Sequence, residues 1–428
     1  MFSFRRYFFK KEKPTSEHKP YPKLITNQPP DTAGTLASFL EAKDLASVST
    51  TCRDSHPLFS KARATKTLLQ AVVFGDLKKA EDMIIKQPQL LLERGTVKDY
   101  SGRIHSNRTA FQLALGACDY NVKDAKGNIV VDGMIEMIEK HFKILPEKTP
   151  DEINIIMHSQ YAGQFPEGYE TEEVKRIADD SAALHRMINV IADLKDEHDC
   201  TAVSALEEKI HKIIRKEKSE RADQLRKIVQ SILSAESITL FEEAFQDFTT
   251  YVTAHKLIEK DAYNVDLLKA LYQFRNYLEP KGSRTTGKHF NHQLLSIAAE
   301  LYDKNYVRFG NDWDSPKNLF CWQKVFGGVE RLVPACDAQS IAHGLWYLFE
   351  EGEKSPRSAV FRYGGGKYFP LFLDPDWEFG HNCAAVRWRA ACAGAGRLRG
   401  FKSYVEQKQQ CRHLSCSLDE RNRRDAVR

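Results

Sequence analysis

From Glu172 to about Leu278, apolar side chains recur at helical spacing almost without a break, which commits the chain to a mainly α fold. Val174, Ile177, Ala178, Leu184, Met187, Ile188 and Ile191 mark one amphipathic helix, and Leu206, Ile210, Ile213 and Ile214 begin another. Phe241, Phe245 and Phe248 continue a stripe at the same spacing, predicting core packing rather than a platform for stacked bases. Lys212, Arg215, Lys216, Lys218 and Arg221 crowd one outer face. Glu207, Glu208, Glu217 and Glu220 offset them, so the run predicts a solvated helix face and no specific nucleic-acid stripe.

The chain has 428 residues, enough for several domains and a sizeable core. Hydrophobic content of 42% and charged content of 28% are those of a soluble globular protein. Net charge is only +5. Its basic residues change character near residue 385, from mixed Lys and Arg to predominantly Arg, and from there the sequence shows no period. A disordered tail over 385–428 is the expectation. The nine cysteines form no regular framework, which points to a reducing compartment such as the cytoplasm. No run of about 18 apolar residues exists, so no transmembrane segment is expected. The start, MFSFRRYFFKKEKP, is basic and aromatic but lacks the apolar core of a signal peptide. Residues 1–30, with their prolines, predict a disordered lead-in.

Within 31–62, Leu36, Phe39 and Leu40 share one helix face, and Asp44 is placed to cap a second helix from Leu45. A helical hairpin of this kind must bury its apolar stripe on another domain or another chain. Lys43-Asp44-Leu45, Val48-Ser49, Cys52-Arg53 and the closing Leu58-Phe59 resemble an F-box, although the family's Leu-Pro opening is missing. The resemblance implies a non-catalytic adaptor of a ubiquitin ligase. Leu36, Leu40, Leu45, Val48 and Leu58 would dock the SCF adaptor subunit.

The segment 66–145 resembles degenerate ankyrin repeats. Leu68-Leu69-Gln70-Ala71, Gly75-Asp76-Leu77 and Ala80 with Met83-Ile84-Ile85 follow the family's helix, Gly-Asx turn and second helix. Asp99-Tyr100-Ser101-Gly102 carries hairpin-turn chemistry. Thr109-Ala110-Phe111-Gln112-Leu113-Ala114 stands where the family has Thr-Pro-Leu-His-x-Ala. The interval from Ala71 to Ala114 exceeds the family period of about 33 residues. Met134 to Phe142 completes the second unit after an insertion, Asn121–Asp132, rich in turn formers. Residues 150–170 read as a loop, 171–280 as a helical domain, and 280–287 as a linker.

Residues 288–375 predict a helical C-terminal domain with a β-hairpin around Gly364-Gly365-Gly366. Trp322-Gln323-Lys324-Val325, Arg331 to Cys336 and Phe349 to Lys354 resemble the C-terminal part of large proteins of intracellular bacteria such as Legionella and Coxiella. An F-box beside ankyrin-like repeats resembles translocated effectors of such bacteria. The resemblance implies virulence-associated recruitment of an unidentified target protein in the host cytoplasm.

No catalytic signature emerges. Cys321 or Cys336 could pair with His343, with Asp337 as orienting group and Cys336 and His343 at i and i+7, but spacing alone supplies neither an exposed thiolate nor a base. Gly364-Gly365-Gly366-Lys367 and Gly282 to Lys288 both lack the Ser/Thr of a phosphate loop. His381 and Cys383, with Cys411, His413 and Cys416, match no zinc spacing. The sequence therefore predicts no catalytic residue, no metal site and no cofactor. It predicts either the ubiquitin-ligase adaptor or an ankyrin-like scaffold for protein–protein interaction without a ubiquitin link.

Overall fold

A computed structural model describes Asp44 and residues 55–166, 172–257, 263–278, 283–312, 314–363, 367–369 and 401–409. The chain divides into two compact units, 1–63 and 64–428. Of the first, the description covers Asp44 and 55–63. The second holds the ankyrin-like, helical and C-terminal segments together.

The protein is mainly helical. Helix α1 (Ser55–Val73) runs across the boundary expected between the F-box-like and ankyrin-like segments. Gly75, at φ +65°, turns the chain into α2 (Leu77–Lys86), which Asp76 caps by accepting from Lys79 N at 3.3 Å. Strands β1 (Gly95–Lys98) and β2 (Ile104–Arg108) form an antiparallel hairpin, with Gly102 at φ +95° in its turn. Helix α3 (Ala110–Gly116) follows at once. Thr109 and Gln112 open it with a capping box, each side chain accepting from the other's backbone N–H. A small hairpin, β3 (Val122–Lys123) and β4 (Ile129–Val131), fills the turn-rich insertion before α4 (Met134–Phe142).

The segment 150–170 departs from the loop expected of it. Residues Pro150–Gln164 form helix α5, opened by a Thr149/Glu152 capping box with Pro150 in its first turn. Helices α6 (Glu172–Asp193), α7 (His198–Lys216), α8 (Glu220–Ser234), α9 (Ile238–Ala254) and α10 (Val265–Leu278) form the helical middle. Ser219 and Ser237 cap α8 and α9. Phe241, Phe245, Phe248 and Tyr272 pack ring against ring in the core.

The expected linker also has a structural role: β5 (Ser283–Arg284) adds to β2 in parallel, with Ile104 opposite Ser283 and His105 opposite Arg284. After it come α11 (Gln293–Asn305), α12 (Pro316–Phe320), a π-helical turn Cys321–Phe326, α13 (Gly327–Glu330), α14 (Ala335–His343) and α15 (Leu345–Phe349). The hairpin near the end pairs β6 (Phe361–Tyr363) with β7 (Lys367–Phe369).

Residues 401–409, expected within a disordered tail, form a further helix, α16, with Phe401, Tyr404, Val405 and Lys408 buried. Arg-rich composition hid the apolar spacing of Phe401, Tyr404 and Val405. Two apolar clusters make the core. One joins α1 to α5; the other runs from α6 to α16 and takes in Tyr100, Val122, Val130 and Val131 from the two early hairpins. Among the described residues no helix is long and apolar enough to cross a membrane.

Candidate functional site

Two buried polar clusters lie where the early hairpins meet the later helices. The first is built on the β1–β2 turn. Asp99 Oδ1 accepts from Ser101 Oγ at 2.8 Å and from Arg103 N at 2.9 Å, which fixes the turn. Its Oδ2 then accepts from His105 Nε2 at 2.7 Å. Burial by itself would raise the Asp99 carboxyl, but His105 and Arg103 outweigh it and hold the group below the usual carboxylate range. His289 arrives from beyond β5. Its backbone N–H donates to Gly116 O at 2.7 Å, and its ring is tilted against that of His105 with centroids 3.8 Å apart. Burial, then the charges of His105, Arg284, Arg103 and Arg108, push the His289 pKa well below the ordinary value. His289 is therefore a neutral ring in a cationic setting.

Asp99, His105 and His289 place one ligand atom each within 4.8 Å of the others, the closest approach to a metal set among the described residues. The rings do not suit one. A tetrahedral zinc with Zn–N near 2.1 Å holds two imidazole centres about 5 Å apart, with their lone pairs converging. Here the ring centres lie only 3.8 Å apart, with the planes tilted by 33°, and three guanidiniums oppose a cation. The group works as a joint between the hairpin and the 283–289 segment.

The second cluster centres on Asp337 in α14. Its carboxylate accepts from His292 Nε2 at 2.7 Å and from Tyr404 OH at 2.5 Å, and Lys408 Nζ lies 3.2 Å away. Lys408 also donates to Cys118 O at 2.9 Å. Beside it, Arg357 grips Asp119 with two bonds of 2.7 Å. Burial would raise the Asp337 carboxyl, but Lys408, His292 and Tyr404 reverse the sign and hold it far below its ordinary range. Burial would likewise lower Lys408, yet Asp337 keeps it a firm ammonium. A further buried carboxylate, Glu207 in α7, binds Arg275 of α10 and Lys324 of the π-helical turn.

The residues expected to act fall as follows. Leu36, Leu40, Leu45 and Val48 lie outside the described residues, and Leu58 contributes a backbone position to α1. Cys336 and His343 do not assemble as nucleophile, base and orienting group. Asp337 is taken by His292, Tyr404 and Lys408, while His343 pairs with Glu353 at 3.1 Å. Burial and the nearby Asp119 and Asp337 push the Cys336 thiol well up, the opposite of an activated thiolate. The pairs His381/Cys383 and Cys411/His413/Cys416 lie outside the described residues. His289, His292 and Lys408 carried no sequence signal, because their partners are distant in the chain and follow no period.

No family model, curated protein or solved structure matches this chain.

Proposed function

We propose that the chain is a substrate adaptor, in which the F-box-like segment 31–62 docks the SCF adaptor subunit of a ubiquitin ligase and the ankyrin-like segment 66–145 holds a target protein. The order of elements over 66–142 carries the target-binding half: helix, Gly-Asp turn, helix, hairpin, Thr-capped helix, insertion, helix. The docking half rests on the Lys43-Asp44-Leu45 and Val48-Ser49 wording of the sequence. Such an adaptor acts by proximity, raising the effective concentration of the target near a charged conjugating enzyme.

The β2 edge of the hairpin is occupied by β5, and Arg103 Nη1 donates to Leu332 O at 2.9 Å. An open ankyrin array offers its hairpins to partners; here that edge faces the protein's own later segments. The target is therefore assigned to the helical side, where Ile85 and Ile144 are 62% and 68% exposed.

Affinity capture of the SCF adaptor subunit by the full chain, beside a Leu45→Asp/Val48→Asp variant with unchanged circular dichroism, tests the docking half. Capture by the wild type and its loss in the variant support the adaptor. Capture by neither leaves an ankyrin-like scaffold without a ubiquitin link.

A further inference from the structure

Helix α16 is held as a ligand helix is held in a groove. Phe401, Tyr404, Val405 and Lys408 are buried, while Lys402 and Glu406 between them are exposed. The four stand at i, i+3, i+4 and i+7, the spacing by which an amphipathic helix anchors on a partner. Their seat has an apolar floor and a charged end. Phe326 of the π-helical turn meets Phe401 edge to face at 5.8 Å, and Phe349 of α15 meets Tyr404 at 6.3 Å. At the charged end Asp337 takes both Tyr404 OH and Lys408 Nζ, and Cys118 O accepts from Lys408. Along one side Gln407 spans the edge of β3. Its Oε1 accepts from Lys123 N at 3.0 Å, and its Nε2 donates to Lys123 O at 2.9 Å.

The elements of the seat have ties of their own: β3 pairs with β4, and Asp337 also holds His292. The occupant depends on the seat. Nine residues are too few for a stable helix alone in water, so 401–409 folds as it docks. Residues 370–400 separate α16 from β7. The effective concentration at which a tethered segment meets its site falls with the length of the connection. A helix from another protein therefore competes with a tethered segment, not with a continuous part of the core. We propose that the α16 seat is a docking groove for a partner helix with aromatic side chains at i and i+3, a β-branched one at i+4 and a lysine at i+7. Residues 401–409 are then its occupant in cis. The groove stands apart from the F-box-like segment and needs no ubiquitin link.

Fluorescence anisotropy of a labelled peptide of residues 401–409 tests this on two full-length proteins, the wild type and a Phe401→Ala/Tyr404→Ala variant. The variant vacates its own seat, whereas the wild type binds only through its open fraction. The expected result is an affinity about tenfold or more higher for the variant. A Lys408→Met peptide should bind the variant roughly tenfold more weakly, as for loss of a charge-assisted bond. Equal affinity for the two proteins, or for the two peptides, would overturn the groove. Amide hydrogen exchange of the wild type decides independently of how the variant folds. Residues 401–409 should exchange by local opening while α14 stays protected, and exchange only together with α14 would overturn the groove. Light scattering tests a second copy as occupant: a wild-type dimer that the variant abolishes would overturn the assignment to a partner helix.

Discussion

Lys408 Nζ lies 3.2 Å from Asp337 Oδ1, so a helix near the C-terminal end supplies the counter-charge for a carboxylate with no exposed surface. Tyr404 donates to the same oxygen from one turn earlier, and Phe401 packs on Phe326. Helix α16 is thus keyed into α14 through charge as well as apolar area.

Removing one member of this pair leaves the other buried and unmatched. Lys408→Met should cost about 3–5 kcal/mol of unfolding free energy. The Lys408→Met/Asp337→Asn double variant should recover part of that loss. Urea unfolding followed by circular dichroism measures these beside Asp337→Asn alone; a loss in the double variant equal to the sum of the two single losses would mean that the pair is not coupled.

Stability should fall on mild acidification. His289 and His292 both have folded pKa values below the ordinary histidine value near 6.5, in each case with burial as the largest cause. The unfolded chain therefore binds more protons as pH drops through about 6.5, and each ring withdraws stability between that point and its folded value. The slope per ring approaches about 1.4 kcal/mol per pH unit. In His289→Gln the loss of stability from pH 7.5 to 5 should be shallower. An unchanged slope would contradict the neutral, buried ring.

Glu330 is fully buried at the end of α13, and both carboxyl oxygens lack a hydrogen-bond partner among the described residues. Burial pushes its pKa well up. An acid of this kind favours folding most at low pH, and its cost grows as pH rises through the unfolded value near 4.3. Glu330→Met should stabilise the chain by about 1–3 kcal/mol at pH 7 and by less at pH 4. Denaturant midpoints at the two pH values check this, and destabilisation at pH 7 would contradict it.

Local signals in the sequence carried the fold well. The Gly75-Asp76 turn, the Asp99–Gly102 turn and the Phe241/Phe245/Phe248 stripe all speak of neighbours within a few residues, and each has its expected place. The Thr109-x-x-Gln112 pair is a capping box in plain view. The same signal at Thr149 and Glu152 opens α5, but Gly163, Pro166 and Gly168 further on carry the chemistry of a loop and outweigh it in the sequence. Asp337 with Lys408, and His105 with His289, were illegible for a different reason. Charge pairing and ring contact between distant segments leave no period, and only the packing of α14 with α16 and the pairing of β2 with β5 bring their partners together.

Amide hydrogen exchange of the full chain, with and without the purified SCF adaptor subunit, tests the adaptor most directly. The account predicts added protection confined to residues 31–61, abolished by Leu45→Asp/Val48→Asp. Protection elsewhere with none in 31–61, or no change on addition, would contradict it.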